Sequence, residues 1–554
     1  MVEGNPRIKK VWEYALKLEG TIKTSGTHAA GIVISKKPIV ETVALYREKN
    51  SDFNATQAEK DCVEHLGLLK MDILGLKTLT VIKECLALIK KHKRITLDIK
   101  NIPLDDKKTF ELIQKGHTMG VFQLESQGMR ETAVRLKAQS FEEISALIAL
   151  YRPGPLNFIN TFVEYKFHPE RITYWHPMIE PVVKETYGIP IYQEQIMQIA
   201  QKCAGFSLAE ADILREGMSK KREGVIREMK PLFIEGCKKQ GIDENLALQI
   251  FENIQNFAKY GFNKSHSVAY TMLSYRTAYL KAHYPEEFMC ALLTSEIGNT
   301  DKTMAYVEEA KRMGIKILPP DINKSAVVYT LERGNIRFAL LAIRNLGQSV
   351  CEAIVGERKK NGPYKDFFDF CRRLDSKYLN KRVLENLVKA GAFDSFGVSR
   401  KKTFECIEIA MEEKQKFQRV KNEGFETASL FGAEEEKSFY TYKEVKIENP
   451  EEEWGLSEKL SNEKDALGFY LSGHPLEPFK QVVDVWTAPN SLINKAREGD
   501  ELIVGGIITF IKKATDKNNK EIVFVRFDSL KNSYEVTFFN NTYEKYKDLL
   551  YMEN

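Results

Sequence analysis

A helical pattern of apolar residues across residues 103–297 constrains the fold more than any other feature of this chain. Within it, Tyr275 and Tyr279 have the spacing of residues on one face of an α-helix. Asp105 and Ser207 are side chains of the kind that cap the first turn of a helix. A helical stretch of this length predicts a large helical domain.

The residues before this stretch follow a different pattern. Residues 30–35 and 66–73 are short strand-like runs, and residues 76–91 have the apolar spacing of a helix. Strand-like and helical runs that alternate in this way predict an α/β domain. The chain begins without an apolar signal segment and without a leading strand, and we expect an N-terminal region to be missing from it.

Strand-like runs return in the C-terminal half. Residues 327–331 and 336–340 flank a Glu-Arg-Gly-Asn turn and predict a small hairpin, after which short helices continue. Glutamate and lysine dominate residues 411–465, which indicates a linker. Three runs typical of a small β-barrel, which we expect to be incomplete, cover residues 503–511, 522–528 and 534–539.

Charge and cysteine usage exclude several classes of protein. Lysine and arginine number 82 against 77 aspartates and glutamates, an excess that neither requires nor excludes nucleic acid as a partner. The 8 cysteines form no Cys-x-x-Cys pair, which argues against a zinc site or a disulfide framework. No apolar run approaches the roughly 20 residues of a membrane span. We therefore expect a cytoplasmic protein that does not act at a membrane.

Lys70 and Asp72 lie two residues apart within residues 66–73, so a strand would point both side chains to one face. An acid among leucine, methionine and isoleucine is costly to bury unless it meets a cation or a metal ion. Asp72 is therefore either a metal-binding carboxylate with a basic neighbour or half of a structural ion pair at a strand edge. The residues alone leave both interpretations open.

Five short strings occur in a fixed order along the chain, and together they are far more specific than any one alone. They are Thr-Ser-Gly-Thr-His-Ala-Ala-Gly (24–31), Gly-Val-Phe-Gln-Leu-Glu-Ser (120–126), Ala-Leu-Tyr-Arg-Pro-Gly-Pro (149–155), Tyr-Gly-Phe-Asn-Lys-Ser-His-Ser (260–267) and Leu-Lys-Ala-His-Tyr-Pro-Glu-Glu-Phe (280–288). This ordered set resembles the bacterial family C replicative DNA polymerases, the DNA polymerase III alpha subunits, and the resemblance covers essentially the whole chain.

The resemblance implies a DNA-directed DNA polymerase, which adds deoxynucleoside monophosphates to a primer end by two-metal phosphoryl transfer. In that family three aspartates hold two Mg²⁺ ions, and Asp72 matches the third. The first two belong to an Asp-Phe-Asp-x-Asp string that this sequence lacks. We therefore expect a chain truncated at both ends and inactive alone, because one carboxylate cannot hold two Mg²⁺ ions. The alternative is a catalytically inactive module that binds DNA and tethers it to a sliding clamp.

The family's architecture implies an α/β multidomain fold. Its parts would be a partial nucleotidyltransferase-type palm, large helical fingers, a helix-hairpin-helix region, a linker and a partial OB-fold β-barrel. In chain order these expected regions cover residues 1–100, 101–325, 326–410, 411–490 and 491–554.

Several basic residues fit contacts with phosphate. Lys70, Arg152 and Lys264 would bind the triphosphate, with Arg152 using the bidentate geometry of a guanidinium. A second basic cluster on a pair of amphipathic helices would hold the duplex backbone, or is only a solvated helix face. Its expected DNA-binding members are Arg215, Lys220 and Lys221. In the helix-hairpin-helix region, Gly347 would present backbone N–H groups to phosphate, with Asn345 where a glycine is more usual.

The segment 426–432 places Leu430 and Phe431 in a polar stretch, as in short peptides that dock into a partner's pocket. It resembles the family's sliding-clamp-binding motif, with Thr427 in place of the usual glutamine. The alternative is that both apolar side chains pack on a neighbouring helix. The partners implied are primed template DNA, deoxynucleoside triphosphates, the sliding clamp (beta subunit) and other subunits of the replicative holoenzyme.

Overall fold

The computed structural model describes residues 6–21, 26–28, 30–48, 51–416, 447–488, 496, 499–515, 521–529 and 533–551. The chain divides into two compact units, an N-terminal unit of Met1–Lys77 and a C-terminal unit of Thr78–Asn554. In the described part, the N-terminal unit combines short strand pairs with helices, and the C-terminal unit is mainly helical with small sheets.

Two antiparallel strand pairs organise the N-terminal unit. Its elements are α1 (Pro6–Leu18), β1 (Gly31–Ile34), β2 (Leu45–Tyr46), β3 (Ala55–Thr56), α2 (Lys60–His65) and β4 (Leu69–Asp72). β1 pairs with β4 and β2 pairs with β3, so that Gly31 lies opposite Asp72 and Val33 lies opposite Lys70. The two predicted strands are confirmed, although each is shorter than the sequence pattern predicts.

The first part of the C-terminal unit is helical, as the apolar spacing predicts. Its helices are α3 (Lys77–Lys93), α4 (Lys107–Gln114), α5 (Gln127–Leu136), α6 (Phe141–Leu150), α7 (Ile159–Phe167), α8 (Glu180–Val183), α9 (Gln193–Ala204), α10 (Leu208–Ser219), α11 (Glu223–Lys239), α12 (Glu244–Ala258), α13 (Lys264–His283), α14 (Pro285–Ser295) and α15 (Thr300–Arg312). On α13, Tyr275 is fully buried and its hydroxyl donates to the Pro103 carbonyl at 2.9 Å. The inward placement of Tyr275 is therefore confirmed, whereas Tyr279 is half-buried and Val268, earlier in the same apolar pattern, is exposed.

Side-chain caps determine where two of these helices begin. Ser207 and Glu210 form a reciprocal capping box at the start of α10, with Ser207 accepting from the Glu210 backbone N–H and Glu210 accepting from the Ser207 backbone N–H. Asp106 caps α4 by accepting from the Thr109 N–H at 2.8 Å. The predicted cap Asp105 is one residue too early, because two adjacent aspartates cannot be told apart by residue type.

A small sheet and four helices follow. The sheet contains β5 (Ile317–Leu318), β6 (Thr330–Glu332) and β7 (Asn335–Arg337), in the order β5-β7-β6 with β5 parallel to β7. The helices are α16 (Gln348–Asn361), α17 (Phe367–Arg373), α18 (Lys381–Lys389) and α19 (Arg400–Glu405). The predicted hairpin is confirmed as β6 and β7, and its strands are shorter than predicted.

Residues 447–488 differ from the predicted linker. They contain α20 (Leu456–Leu467) and α21 (Lys480–Trp486), and α20 packs into the core of the preceding helices. Glu463 on α20 is buried and accepts a hydrogen bond from Arg400 at 3.0 Å. The charged composition indicates a linker and does not reveal this helix. In a sequence, a glutamate that is buried with an arginine partner cannot be told from an exposed glutamate.

The C-terminal end forms a three-stranded antiparallel sheet followed by a short helix. Its elements are β8 (Ile507–Thr515), β9 (Glu521–Asp528), β10 (Ser533–Phe538) and α22 (Asn540–Tyr546), with β9 in the middle of the sheet. Val523 and Val525 are fully buried beneath Tyr543 of α22. The three predicted strands are confirmed, and the described residues do not close a barrel. Among them, no helix combines the length and apolar character needed to cross a membrane.

Candidate functional site

Lys70, Asp72 and His28 surround Gly31 on the paired strands of the N-terminal unit. The Lys70 ammonium donates a hydrogen bond to Asp72 Oδ1, and the Gly31 backbone N–H donates to His28 Nδ1 at 2.8 Å. A Cβ added to Gly31 would lie 2.9 Å from Lys70 Cε and 3.1 Å from His28 Nδ1. A side chain at position 31 would therefore have to displace the end of the Lys70 side chain and crowd His28 and Asp72.

Asp72 is exposed and ionised. The hydrogen bond and charge of Lys70 hold the pKa of Asp72 below its ordinary value. Its side chain is 45% exposed, against 12% for Lys70. The ion pair expected as one interpretation of these residues is therefore present, and the Asp72 carboxylate also remains open to solvent.

The described residues do not fit a two-metal site. No group of three or more His, Cys, Asp or Glu side chains that could hold a metal ion occurs among them. Two Mg²⁺ ions need near-octahedral oxygen ligands, of which Asp72 supplies one carboxylate.

Arg152, in the C-terminal unit, is locked by backbone and ring contacts. Its Nε donates to the Ala149 carbonyl at 2.8 Å, and its Nη2 donates to the Tyr260 carbonyl at 2.9 Å. The guanidinium carbon lies 4.3 Å from the centroid of the Phe262 ring, a cation–π contact. Burial lowers the pKa of Arg152, yet a guanidinium stays charged at any physiological pH. The half-buried side chain is thus a fixed positive charge.

Gly154 makes this arrangement possible. It has φ +101°, and a Cβ there would lie 2.5 Å from a carbon of the Tyr260 ring. Glycine is needed both for the backbone conformation and for the close approach of Tyr260. The Pro-Gly-Pro turn after Arg152 therefore brings residues 152 and 260 together.

Lys264 is the first residue of α13 and lies just beyond the ring that Arg152 contacts. Its Nζ is 2.7 and 2.8 Å from the two carboxylate oxygens of Glu185, and its backbone N–H donates to Glu194 at 3.0 Å. Asn263 caps the helix by accepting from the His266 N–H at 2.8 Å. The structure therefore brings Arg152 to the residues that immediately precede Lys264, and gives Lys264 a carboxylate partner that the sequence does not reveal.

Aromatic rings continue this site along α13. The ring centroid of His266 lies 4.2 Å from that of Tyr270 and 5.4 Å from that of Phe262. The ring centroids of Tyr270 and Phe122 lie 5.3 Å apart. The spacing of residues 262, 266 and 270 by four is the signal from which such a row can be found. One guanidinium and four rings thus form a continuous, partly exposed row beside Lys264.

The basic cluster at the junction of α10 and α11 is largely paired. Arg215 lies 2.7 Å from Asp212, and Lys220 lies 2.7 Å from Glu216. Lys221 ends the turn in the left-handed region, with φ +53°. To bind DNA, Arg215 and Lys220 would each have to exchange a carboxylate partner for a phosphate. The loss of the ion pair offsets part of the binding free energy that the phosphate contact would contribute.

The predicted hairpin turn has the geometry of a helix start. Gly347 is the N-cap of α16, and Asn345 adopts φ +64°. Asparagine tolerates this left-handed conformation better than most residues, so it performs the role expected of glycine. An added Cβ at Gly347 meets no atom within 4 Å, which leaves the helix start accessible. Leu430 and Phe431 lie outside the described residues.

Three family models match parts of the chain. They are the bacterial DNA polymerase III alpha NTPase domain over residues 1–75, the bacterial DNA polymerase III alpha subunit finger domain over residues 78–241 and the helix-hairpin-helix motif over residues 314–403.

Among known proteins, the chain is similar to DNA polymerase III subunit alpha of Borreliella burgdorferi, with 43% identity over 98% of this chain and 47% of that protein. It is 41% identical to DNA polymerase III subunit alpha of Aquifex aeolicus, over 99% of this chain and 45% of that protein. The corresponding protein of Escherichia coli K12 is 38% identical over 99% of this chain and 48% of its own length. The chain thus spans about half the length of the relatives it matches.

Proposed function

Because the chain belongs to the bacterial DNA polymerase III alpha subunit family, we propose that it is part of a DNA-directed DNA polymerase of chromosome replication. The observation that carries the proposal is the contact of Arg152 with the ring of Phe262, which lies two residues before Lys264 at the start of α13. Two positive charges, of which Arg152 is fixed, lie near partly exposed rings and suit a deoxynucleoside triphosphate, whose phosphates need cations and whose base offers a flat apolar face.

The two cations have different parts in this site. Arg152 is held rigidly by the Ala149 and Tyr260 carbonyls, so it orients a phosphate without first being ordered. Lys264 is paired with Glu185 through a long side chain that is partly exposed, so its ammonium would exchange the carboxylate for a phosphate oxygen when the nucleotide enters. The pair therefore binds and orients the triphosphate.

Lys70 and Asp72 have a separate proposed role in the N-terminal unit. Asp72 is an ionised carboxylate at the end of a strand, with an exposure suited to a cation ligand, and Lys70 sets its orientation. Asp72 is proposed as one catalytic, Mg²⁺-binding carboxylate of the whole polymerase, and Lys70 as a contact to nucleotide phosphate. The described residues alone do not complete a two-metal site.

The remaining regions are proposed to hold DNA. Residues 1–100 would be the C-terminal part of the palm, 101–325 the fingers, 326–410 the helix-hairpin-helix region and 491–554 a partial OB-fold. Arg215, Lys220 and Lys221 would contact the duplex backbone, and the N–H groups after Gly347 would contact a phosphate. All of these contacts go to the backbone, which suits an enzyme that must copy any sequence.

The proposed clamp-binding segment is tested separately. Leu430 and Phe431 would anchor it in a pocket of the sliding clamp. Replacing both with alanine should abolish binding of the clamp, whereas Thr427→Gln should strengthen it, measured by surface plasmon resonance. Unchanged clamp affinity in the double variant would contradict the role of these residues as clamp anchors.

A second function remains, that of a module which binds DNA without catalysis. The sequence lacks the family's Asp-Phe-Asp-x-Asp string, which favours this second function for the chain by itself. The two functions are separated by primer extension with Mg²⁺ and all four deoxynucleoside triphosphates, alongside binding of the primed template at two salt concentrations. We expect salt-sensitive binding without extension by this chain. Extension would show that other acids of the chain hold the metal ions.

The nucleotide site itself is tested by binding. With the chain bound to a primed template, the deoxynucleoside triphosphate that matches the next template base is titrated and its Kd measured. Arg152→Gln and Lys264→Gln should each weaken binding about tenfold, as expected when one charge-assisted hydrogen bond is removed. Lys311→Gln, an exposed lysine that lies 2.9 Å from Glu308, is the control and should leave the Kd unchanged. An unaltered Kd in both site variants would contradict the proposal.

A further inference from the structure

A row of basic side chains runs along the outer face of α3. Lys83, Lys90 and Arg94 follow the spacing i, i+7, i+11, which places them in one line along a helix. All three are exposed, whereas the opposite face of α3 buries Val81, Ile82, Cys85 and Ile89 in the core. The helix is therefore fixed by its apolar face and presents the row to solvent.

The charge of this face is concentrated and uncompensated. Residues 83–94 contain five lysines and arginines and a single acid, Glu84, in a chain whose formal net charge is only +5. Within the described residues, Lys83, Lys90, Lys91 and Arg94 have no carboxylate within ion-pair distance, and Lys93 reaches Glu287 only at 3.7 Å. Arg215 and Lys220, by contrast, are each held by an acid at 2.7 Å. The α3 row is thus more available to an outside anion.

Helix stability accounts for Lys90, in the last turn of α3, but not for the whole row. Lysines in a last turn favour the negative end of a helix, but that effect fades within one turn and does not reach Lys83. Arg94, the residue after the helix, has φ +59°, in the left-handed region where glycine is the usual residue. Arginine is less favourable than glycine in this backbone conformation, but it places a positive charge at the end of the row.

The chemistry of the face fits a sugar–phosphate backbone. From Lys83 to Arg94 the row is about 16 Å long at 1.5 Å per residue, which matches about five phosphates of one strand at 3.4 Å each. Only Ala87 lies between the lysines on this line, so the row lacks the large apolar anchor that a protein interface needs. It also offers no amide side chain to read a base edge.

We propose that the outer face of α3, through Lys83, Lys90 and Arg94, is a sequence-independent binding surface for the phosphate backbone of the DNA on which the protein acts. The inference rests on the proposed function, since it needs DNA as a ligand. It adds a surface separate from the α10–α11 cluster and from the Gly347 turn.

The test measures binding of the full 554-residue chain to DNA by fluorescence anisotropy over a series of salt concentrations. A blunt duplex and a primed template with a single-stranded overhang serve as separate ligands, so that the two sources of phosphate can be distinguished. The triple variant Lys83→Gln, Lys90→Gln, Arg94→Gln should weaken binding about tenfold and reduce the slope of log K against log salt by up to about 2.7, or about 0.9 for each phosphate that is no longer neutralised.

A matched control removes the same net charge elsewhere. Lys115, Lys311 and Lys416 are exposed lysines paired with Glu111, Glu308 and Glu413, and their replacement by glutamine should leave the slope unchanged. An equal loss of affinity in both triple variants would show an effect of net charge and overturn the inference. Arg94→Gly is a second probe, because it should weaken DNA binding without lowering the thermal midpoint, which a purely structural arginine would not do.

The outcomes separate the two claims. Full DNA binding by the α3 triple variant, with a normal salt slope, would overturn this inference and leave the proposed function standing. Failure of the unaltered chain to bind either DNA would overturn both. Weaker binding of one ligand only would support the surface and identify whether duplex or single-stranded backbone occupies it.

Discussion

Lys264 forms an ion pair with Glu185, whose two carboxylate oxygens lie 2.7 and 2.8 Å from the Lys264 ammonium nitrogen. Both side chains are more than one-third exposed, so water screens the pair and its contribution to stability is small. The main consequence of the contact is therefore on ligand binding: a phosphate must displace Glu185 to reach Lys264.

Glu185→Gln should strengthen nucleotide binding. Removal of the competing charge leaves Lys264 free, and an exposed pair of about 0.5–1 kcal/mol corresponds to a Kd roughly two- to fivefold lower. The measurement is the titration of nucleotide onto the chain bound to primed template. Glu164→Gln, which breaks the exposed pair with Arg171, is the matched control. A higher Kd for Glu185→Gln would mean that the carboxylate positions Lys264 rather than competing for it.

Gly154→Ala should damage the Arg152 site. The new Cβ would meet the Tyr260 ring at 2.5 Å, at a backbone φ of +101° that alanine rarely adopts. The expected cost is about 1–3 kcal/mol of folding free energy, with weaker nucleotide binding, measured by denaturation and titration. Gly356→Ala, inside α16 with nothing within 4 Å of the added Cβ, should instead stabilise the chain by up to about 1 kcal/mol. Equal behaviour of the two variants would contradict this role of Gly154.

Lys281→Met should be among the most destabilising substitutions in the chain. The buried Lys281 ammonium donates to the carbonyls of His117 and Met119 at 2.8 and 2.7 Å and pairs with Glu309 at 2.5 Å. Burial lowers the pKa of Lys281 to about 8, which reflects how costly the charge is to enclose.

Breaking such a network typically costs about 3–5 kcal/mol, because the partners keep their polarity and lose their donor. Chemical denaturation checks the value for Lys281→Met. Lys311→Met, on the surface of α15, is the control and should change stability by less than about 0.5 kcal/mol. A similarly small effect of Lys281→Met would mean that Arg312, which donates to Glu309 at 2.7 Å, compensates for the missing ammonium.

The acidity of Asp72 should depend on Lys70. Lys70 holds the pKa of Asp72 below the ordinary value of 3.8, so Lys70→Met should raise it, as measured by carbon NMR titration of the carboxyl group. A carboxyl whose folded pKa is depressed adds stability that is present above the unfolded pKa and lost as pH falls through the folded pKa. The Lys70–Asp72 contact should therefore be intact above pH 3.8 and break in more acid solution. An unshifted pKa in Lys70→Met would assign the effect to His28 or Lys60.

The sequence predicts the elements of this fold well and their partners poorly. Two-residue spacing was enough to place Lys70 and Asp72 on one strand face, and helical spacing was enough to bury Tyr275. Glu185, by contrast, lies 79 residues before Lys264, and no local pattern links them. The α3 row has the composition of a solvated helix face, and only the positions of the surrounding carboxylates distinguish it from the paired residues Arg215 and Lys220.

The contact between Arg400 and Glu463 limits how this chain can be shortened. Arg400 is 3% exposed and binds both Asp394 and Glu463, while Glu463 also accepts from the backbone N–H groups of Leu471 and Ser472. A fragment that ended at residue 416 would keep the arginine and lose the partner that α20 supplies. A piece that keeps all of these contacts must therefore extend through residue 472, because Leu471 and Ser472 supply the backbone donors to Glu463.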